Sequence, residues 1–83
     1  MTYHDAMHIR LEYVAMLKVD GPRSGSRLEL SDDATVGRLL DVLRIPPAHQ
    51  RVIVPFVNDR KARPDDALRD GDHVYLAMPV GGG

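Results

Sequence analysis

Only one segment of this chain carries the apolar spacing of a helix, and a single helix strongly limits the folds that are available. The stripe consists of four residues that recur at i, i+3, i+4 and i+7: Val36, Leu39, Leu40 and Leu43. Thr35 is the N-cap candidate, because its hydroxyl can accept a hydrogen bond from a free N–H of the first turn. The helix should end by Arg44 or Ile45, since the residue before Pro46 is pushed out of the α region.

The other regular segments predict strands. Residues 8–19 alternate between apolar and largely polar positions, the period-two pattern of a long strand with one buried face. Residues 27–30 alternate again after a run of turn-forming residues, so we expect a hairpin with the first strand. Two later strands are predicted at 51–57 and 73–78, and Pro55 requires the former to be partly an edge strand or bulged.

This order of elements defines the fold class. One helix covers only one face of a sheet. The order β-β-α-β-(β)-β therefore predicts an α+β protein with a β-grasp fold, in which a mixed sheet of four or five strands packs on one main helix. We expect one domain over residues 1–78, in which residues 1–6 could be a short extension, and a flexible C-terminal glycine tail over residues 79–83.

Composition excludes several classes of function. The chain has no cysteine, which excludes disulfides, cysteine-held zinc or iron–sulfur centres and a cysteine nucleophile. Its net charge of −1 argues against a nucleic-acid partner bound by charge. No apolar run approaches the length of a membrane span, and the N-terminus lacks a signal-peptide pattern, so we expect a cytoplasmic protein without a membrane partner.

Two sets of polar residues are candidates for binding sites. His4 and His8 have a metal-ligand spacing only if both lie on a helix, but His8 begins a predicted strand. His49 and His73 lie in other elements and the acidic pairs lie in turns, so we predict no metal site. Four arginines could instead form a patch for an acidic partner, with a solvated surface as the alternative: Arg51, Arg60, Arg63 and Arg69.

The C-terminus is the most unusual feature of the sequence. Gly81, Gly82 and Gly83 cap no element, bury no side chain and lose more entropy than other residues when ordered. They are either an idle tail or a tail that passes through a narrow channel of a partner, where the lack of Cβ atoms allows close approach. Their position after the last strand of a predicted β-grasp favours the second interpretation.

The chain resembles a known family over residues 7–83, most strongly over residues 68–83. Residues 68–72 (Leu-Arg-Asp-Gly-Asp), the strand that follows, and residues 79–83 (Pro-Val-Gly-Gly-Gly) are similar to the end of the ubiquitin-like sulfur carriers of the MoaD/ThiS family. Thr35-Val36 and Val57-Asn58 resemble two further family positions, with Asp59 in place of a glycine. The order Leu76-Ala77-Met78-Pro79 departs from the usual Phe-Phe-Pro-Pro. The resemblance is closer to MoaD, the small subunit of molybdopterin synthase.

The resemblance implies a mechanism in which the chain is a co-substrate and not an enzyme. A ubiquitin-activating-type adenylyltransferase, MoeB/ThiF-like, would adenylate the carboxylate of Gly83 with its own ATP and Mg²⁺. A persulfide donor would then supply sulfur for a thiocarboxylate, which a MoaE-like or ThiG-like synthase would consume. Gly82, Gly81, Val80 and Pro79 would occupy the partner's channel. The chain itself would bind no cofactor.

The same resemblance leaves several products open. Molybdopterin is the leading destination of the sulfur, and thiamine, cysteine or a secondary metabolite are alternatives. A protein modifier that forms isopeptide bonds with lysines is a third hypothesis, since the same adenylate serves both reactions. A binding module with idle glycines is the fourth.

We also predict a docking surface on the sheet face that the helix leaves uncovered. The predicted residues are an apolar group from the first and last strands: Val14, Met16, Tyr75, Ala77 and Met78. The alternative is that loops cover them.

Overall fold

The computed structural model describes residues 6–79, which form a single five-stranded sheet and two helices. The elements in chain order are β1 (Met7–Tyr13), β2 (Ser26–Leu30), α1 (Val36–Val42), α2 (Pro47–Gln50), β3 (Val54–Val57), β4 (Arg60–Lys61) and β5 (His73–Ala77). The strands are arranged in the order β2-β1-β5-β3-β4. This architecture confirms the predicted mixed sheet with one main helix.

The last strand of the sequence is the central strand of the sheet. β5 pairs with β1 in parallel, with Leu11 opposite Val74, and with β3 in antiparallel orientation, with Val57 also opposite Val74. A parallel pair cannot be closed by a tight turn and needs a long crossover. The segment that contains α1 supplies this crossover, so the helix lies against one face only.

The core lies between this face and α1. Alternate residues of β1 and β5 are almost fully buried, as the period-two pattern predicts, and they pack with the stripe of α1 in one cluster. The largest side chains with under 2% exposure are Ile9, Leu11, Leu39, Leu40, Leu43, Leu76, Val36 and Val74. No polar or charged side chain is buried among residues 6–79.

The first strand is much shorter than the alternation predicts. β1 ends at Tyr13, whose N–H donates to Ser24 Oγ over 2.9 Å. The Val14 N–H still reaches the Leu76 carbonyl over 3.1 Å, but the chain then turns, and the Leu17 N–H donates to the Val14 carbonyl. Leu17 is nevertheless only 7% exposed. A loop that folds back onto the core can therefore bury a residue at the position where a continued strand would also bury it.

Pro55 lies in an inner strand, at the point where its neighbour ends. β3 has partners on both sides, but its ladder with β4 covers only Phe56 and Val57, so β3 is partly an edge strand at Pro55, as predicted. The Pro55 carbonyl accepts from the Ala62 N–H over 2.9 Å, and the N and O of one residue in a strand point to the same side. The missing donor of Pro55 therefore faces Ala62, just beyond the end of β4, so proline removes only the reciprocal bond at the end of this ladder and no bond to β5.

The helix ends one turn earlier than the prolines require. Thr35 is the N-cap as predicted, with its hydroxyl accepting from the Arg38 N–H over 3.2 Å. Helix α1 ends at Val42, and Arg44 follows in the left-handed region with φ of 59°. Helix α2 was not predicted, although Pro47 at its first turn is a typical helix start.

We expect Arg44→Gly to raise the free energy of unfolding by about 1 kcal/mol, because glycine adopts a positive φ without the steric cost of a Cβ atom. For a domain of this size the midpoint of thermal unfolding should rise by about 4–8 °C. Arg38→Gly is the matched control, since Arg38 is also exposed but lies inside α1. It should lower the free energy of unfolding by about 0.5–1 kcal/mol. Thermal unfolding that shifts in the same direction for both variants would contradict this assignment.

Candidate docking face and C-terminal tail

The chain leaves the sheet from its central strand. β5 ends at Ala77, which lies opposite Val54 of β3. Met78 packs against the core and Pro79 is exposed. Four of the predicted tail residues lie outside the described residues: Val80, Gly81, Gly82 and Gly83. Hydrogen-bonded ladders on both sides hold β5 in place, so the position of Ala77 at its end is fixed.

The sheet face opposite α1 carries a row of side chains across three strands. Glu12 lies opposite Tyr75 in the parallel pair, and Tyr75 lies opposite Phe56 in the antiparallel pair. Directly opposed residues project on the same face of a sheet. A hollow of about 500 Å³ is lined by Glu12, Phe56, Asp59, His73 and Tyr75. The next row toward the end of β5 is Val54 and Ala77. We call Val54, Phe56, Tyr75 and Ala77 the open face.

A polar pair borders the open face. His73 Nε2 and Glu12 Oε1 are 2.5 Å apart, and the bond joins β1 to β5 across the parallel ladder. Both side chains are more than a third exposed, so the pair is partly screened by water. It fixes the orientation of two polar groups next to the aromatic rings of Tyr75 and Phe56.

The structure brings together only part of the predicted docking surface. Tyr75 and Ala77 lie on the open face. Val14 packs against the core and Met16 is 63% exposed in the loop after β1, because the strand that was to align them ends at Tyr13. Met78 also packs against the core. The predicted placement of Met16 and Met78 on this face is therefore wrong, whereas Val14 lies beside the end of β5, where its N–H donates to the Leu76 carbonyl.

Two members of the open face were not predicted. Val54 and Phe56 alternate with Pro55 and Val57, and this period-two pattern was visible in the sequence. Only the register of β3 against β5 shows that they stand beside Tyr75 and Ala77. A strand pattern alone gives two faces but does not say which face meets which neighbour.

The remaining polar candidates form no cluster of the metal-binding kind within residues 6–79. No group of three His, Cys, Asp or Glu residues that could hold a metal ion occurs in this part of the chain. Asp66 accepts from the Arg63 N–H over 2.8 Å, and its carboxylate therefore has a turn-forming role. No helix between residues 6 and 79 is long and apolar enough to cross a membrane.

The mixed sheet, the single main helix and the central position of the last strand define a ubiquitin-like β-grasp protein. A model described as ThiS family matches residues 16–83, which is most of the chain. The chain therefore belongs to the ThiS family of ubiquitin-like proteins. The resemblance drawn from the C-terminal motif is confirmed at the level of the family. No match is found among curated proteins.

Solved structures show the same fold. The crystal structure of Haloferax volcanii small archaeal modifier protein 1 has 31% identity over 89% of this chain and 99% of that one, with a TM-score of 0.68. A Haloferax volcanii protein solved in solution has 26% identity over 94% and 88% of the two chains, with a TM-score of 0.72. Caldiarchaeum subterraneum ubiquitin, at 22% identity over 95% and 100% and a TM-score of 0.58, shows the fold alone.

Together the family and the similar structures support a ubiquitin-like sulfur carrier or modifier. Small proteins of this kind typically work with activating enzymes related to those of ubiquitin and with acceptors that receive the product.

Proposed function

We propose that the chain is a sulfur carrier and that the carboxylate of Gly83 is its reactive group. A partner adenylyltransferase, MoeB/ThiF-like, joins this carboxylate to AMP from ATP and releases pyrophosphate, with Mg²⁺ bound by the enzyme. The terminal sulfur of a persulfide donor then displaces AMP and forms an acyl disulfide. A thiol reduces its S–S bond, and the thiocarboxylate remains on Gly83.

The absence of cysteine is the observation that carries this proposal. The chain resembles the sulfur carriers of this family, yet it has no thiol with which to hold sulfur. The family resemblance assigns the sulfur to the terminal carboxylate of Gly83, since a carboxylate activated as an adenylate can form a bond to sulfur and release it again. From Met78 to Gly83 an extended chain spans about 20 Å, which is long enough to enter the active site of another protein.

The open face supports a docking role for the folded domain. The chain leaves β5 at the row formed by Val54 and Ala77, and Phe56 and Tyr75 form the row before it. A partner that covers this face would hold the first residues of the tail in place, and Pro79 would restrict the direction in which the tail leaves. We propose that the adenylyltransferase binds here, and that the domain acts as a co-substrate in the cytoplasm without a cofactor of its own.

Molybdopterin is the proposed destination of the sulfur. The order Pro79-Val80-Gly81 and the length of the chain resemble MoaD more than the shorter thiamine carriers. The acceptor would then be a MoaE-like synthase that receives the thiocarboxylate in its own active site. A ThiG-like acceptor corresponds to the thiamine alternative.

Conjugation to lysines is a second candidate function, and one specific observation favours it. The structure with 31% identity over 99% of its own chain is a small archaeal modifier protein. An amine that attacks the same Gly83 adenylate would release AMP and form an isopeptide bond. Both functions thus need the same activation step and differ in the nucleophile.

The intact mass of the protein recovered from its native cell separates the two functions. A gain of about 16 Da, from replacement of one oxygen by sulfur, is the expected result for a carrier. High-mass adducts that disappear on deletion of Gly83 would instead support a modifier. An unchanged mass with the activating enzyme supplied would contradict both. In the same assay Ala77→Asp should reduce the product, whereas Val42→Asp, on an exposed residue of α1, should not.

A further inference from the structure

Five of the eleven basic residues of the chain lie along one edge of the sheet. Arg60, Lys61 and Arg69 line a hollow of about 520 Å³ beside β4. Arg51, Lys61 and Arg63 line a second hollow of about 310 Å³. Lys61 and Ala62 belong to both, so the two hollows adjoin. We call Arg51, Arg60, Lys61, Arg63 and Arg69 the basic edge.

The charges of the basic edge are not neutralised by the rest of the described chain. All five side chains belong to exposed residues. Within residues 6–79 the ion pairs involve only histidines, His8 with Glu29 and His73 with Glu12, and none includes a member of the basic edge. The sequence predicted part of this patch, but it omitted Lys61, which joins the two halves.

The aspartates that alternate with these cations in the sequence form no ion pair with them among residues 6–79. Asp59 lines the hollow on the other sheet face, and Asp70 accepts from the His8 N–H over 2.8 Å. Asp72 does line the basic hollow, but its two oxygens accept from Asn58 Nδ2 over 2.9 Å and from the Arg69 N–H over 2.8 Å. Asp66 also lines this hollow, and one of its oxygens accepts from the Arg63 N–H over 2.8 Å. In this hollow three cations exceed two carboxylates by one, and the second hollow has three cations and no carboxylate in its lining, so the edge retains an excess of positive charge for an outside anion.

We propose that the basic edge binds an acidic segment of a protein partner. Arginine binds carboxylates through paired hydrogen bonds in a plane, and four of the five cations are arginines. The lining also includes apolar residues such as Val57 and Ile53, which suit the aliphatic parts of a peptide. No aromatic ring lines either hollow, so there is no platform on which nucleic-acid bases could stack. A net charge of −1 further disfavours a long polyanion.

The location of the edge makes it an extension of the open face. Lys61 of the basic edge lies opposite Phe56 of the open face in the β3–β4 ladder. A partner that covers Phe56 therefore lies next to Lys61. The inference does not depend on the chemistry at Gly83. A carrier, a modifier and a chain with an idle tail could each use this surface.

The test compares two variants that lose the same charge on opposite edges of the sheet. The edge variant is Arg60→Gln, Lys61→Gln and Arg69→Gln. The control variant is Arg10→Gln, Arg23→Gln and Arg27→Gln, three exposed residues of the β1–β2 side. Both carry three fewer positive charges, so any effect of net charge alone is equal in the two proteins.

Each protein is titrated with an oligoglutamate peptide in about 20 mM salt and followed by amide chemical shifts. We expect saturable shifts at the basic edge in the parent protein, about ten-fold weaker binding by the edge variant and unchanged binding by the control variant. Binding should also weaken in about 150 mM salt, because screening shortens the range of exposed charges.

Three outcomes would overturn the proposal. The first is equal loss of binding in both variants, which would show an effect of net charge. The second is absence of saturable shifts at the basic edge of the folded parent protein. The third is tighter binding of a single-stranded oligonucleotide of matched charge, which would make nucleic acid the occupant.

Discussion

Leu39→Ala should lower the free energy of unfolding by about 3–5 kcal/mol. Leu39 is fully buried in the middle of α1 and packs in the cluster that joins this helix to the sheet. Removing a buried leucine side chain loses transfer free energy and leaves a cavity that its neighbours fill only in part. An 83-residue domain has a total stability on the order of 4–12 kcal/mol. The variant should therefore lose at least about a quarter of this stability.

Because the chain has no disulfide, the substitution at Leu39 removes a larger share of its total stability. With no cysteine in the chain, no disulfide limits the unfolded state. α1 is also the only helix of more than one turn in residues 6–79, so no second helix shares its interface with the sheet. The loss at Leu39 cannot be compensated by an independent layer.

Val42→Ala is the control for Leu39→Ala. Val42 lies in the same helix but is 45% exposed, and alanine has a higher helix propensity than valine. Its effect on the free energy of unfolding should be within about 0.5 kcal/mol of zero. Urea unfolding of both variants gives the comparison. A loss below about 1 kcal/mol at Leu39 would show that α1 contributes less to the core than its burial indicates.

The sequence predicted the structure best where the apolar periodicity allows only one orientation of an element toward the core. The stripe of α1 can face a core in only one way, and its N-cap at Thr35 has a direct physical signal. The pattern of β1 was less decisive. Leu17 is buried from a turn after the strand has ended, and sequence spacing does not distinguish a turn that folds back from a strand that continues.

The candidate site required information that lies outside any local pattern. The end of β1 depends on a hydrogen bond from Tyr13 to Ser24, eleven residues further along the chain. Phe56 and Tyr75 meet because β3 and β5 adopt one register of several that their patterns allow. Asp59, where the family has glycine, adopts φ of 68° beside Asn58 at 52°, so the tight β3–β4 hairpin persists without glycine at a position that favours it.

The family motif and the fold contribute different parts of the functional argument. The motif at residues 68–83 predicts what the C-terminus does, and the match to the ThiS family supports it. The fold shows that the chain leaves the sheet beside the open face, with Lys61 of the basic edge one strand further away. A partner could thus bind an apolar area, a charged area and the tail together, and several weak contacts would combine into a specific complex.

Gly82→Val should reduce adenylation of Gly83 by about a hundred-fold or more, because a branched Cβ next to the reacting residue displaces the carboxylate in a narrow channel. Gly82→Ala should have an intermediate effect, since it adds one methyl group. The measurement is pyrophosphate release by the activating enzyme with each variant as substrate. Thermal unfolding serves as the control for the fold, and we expect an unchanged midpoint because Gly82 lies five residues beyond the end of β5.

A defect in the channel and a defect in docking change different kinetic constants of the activating enzyme. The folded domain and its open face are the same in the parent protein and in Gly82→Val, so binding through the domain should persist and the loss should fall mainly on kcat. A variant of the open face such as Ala77→Asp should instead raise KM with less effect on kcat. If Gly82→Val were adenylated at the parent rate, the glycines would have no steric role. The tail would then need only length, and a side chain at that position would be as acceptable as a hydrogen atom.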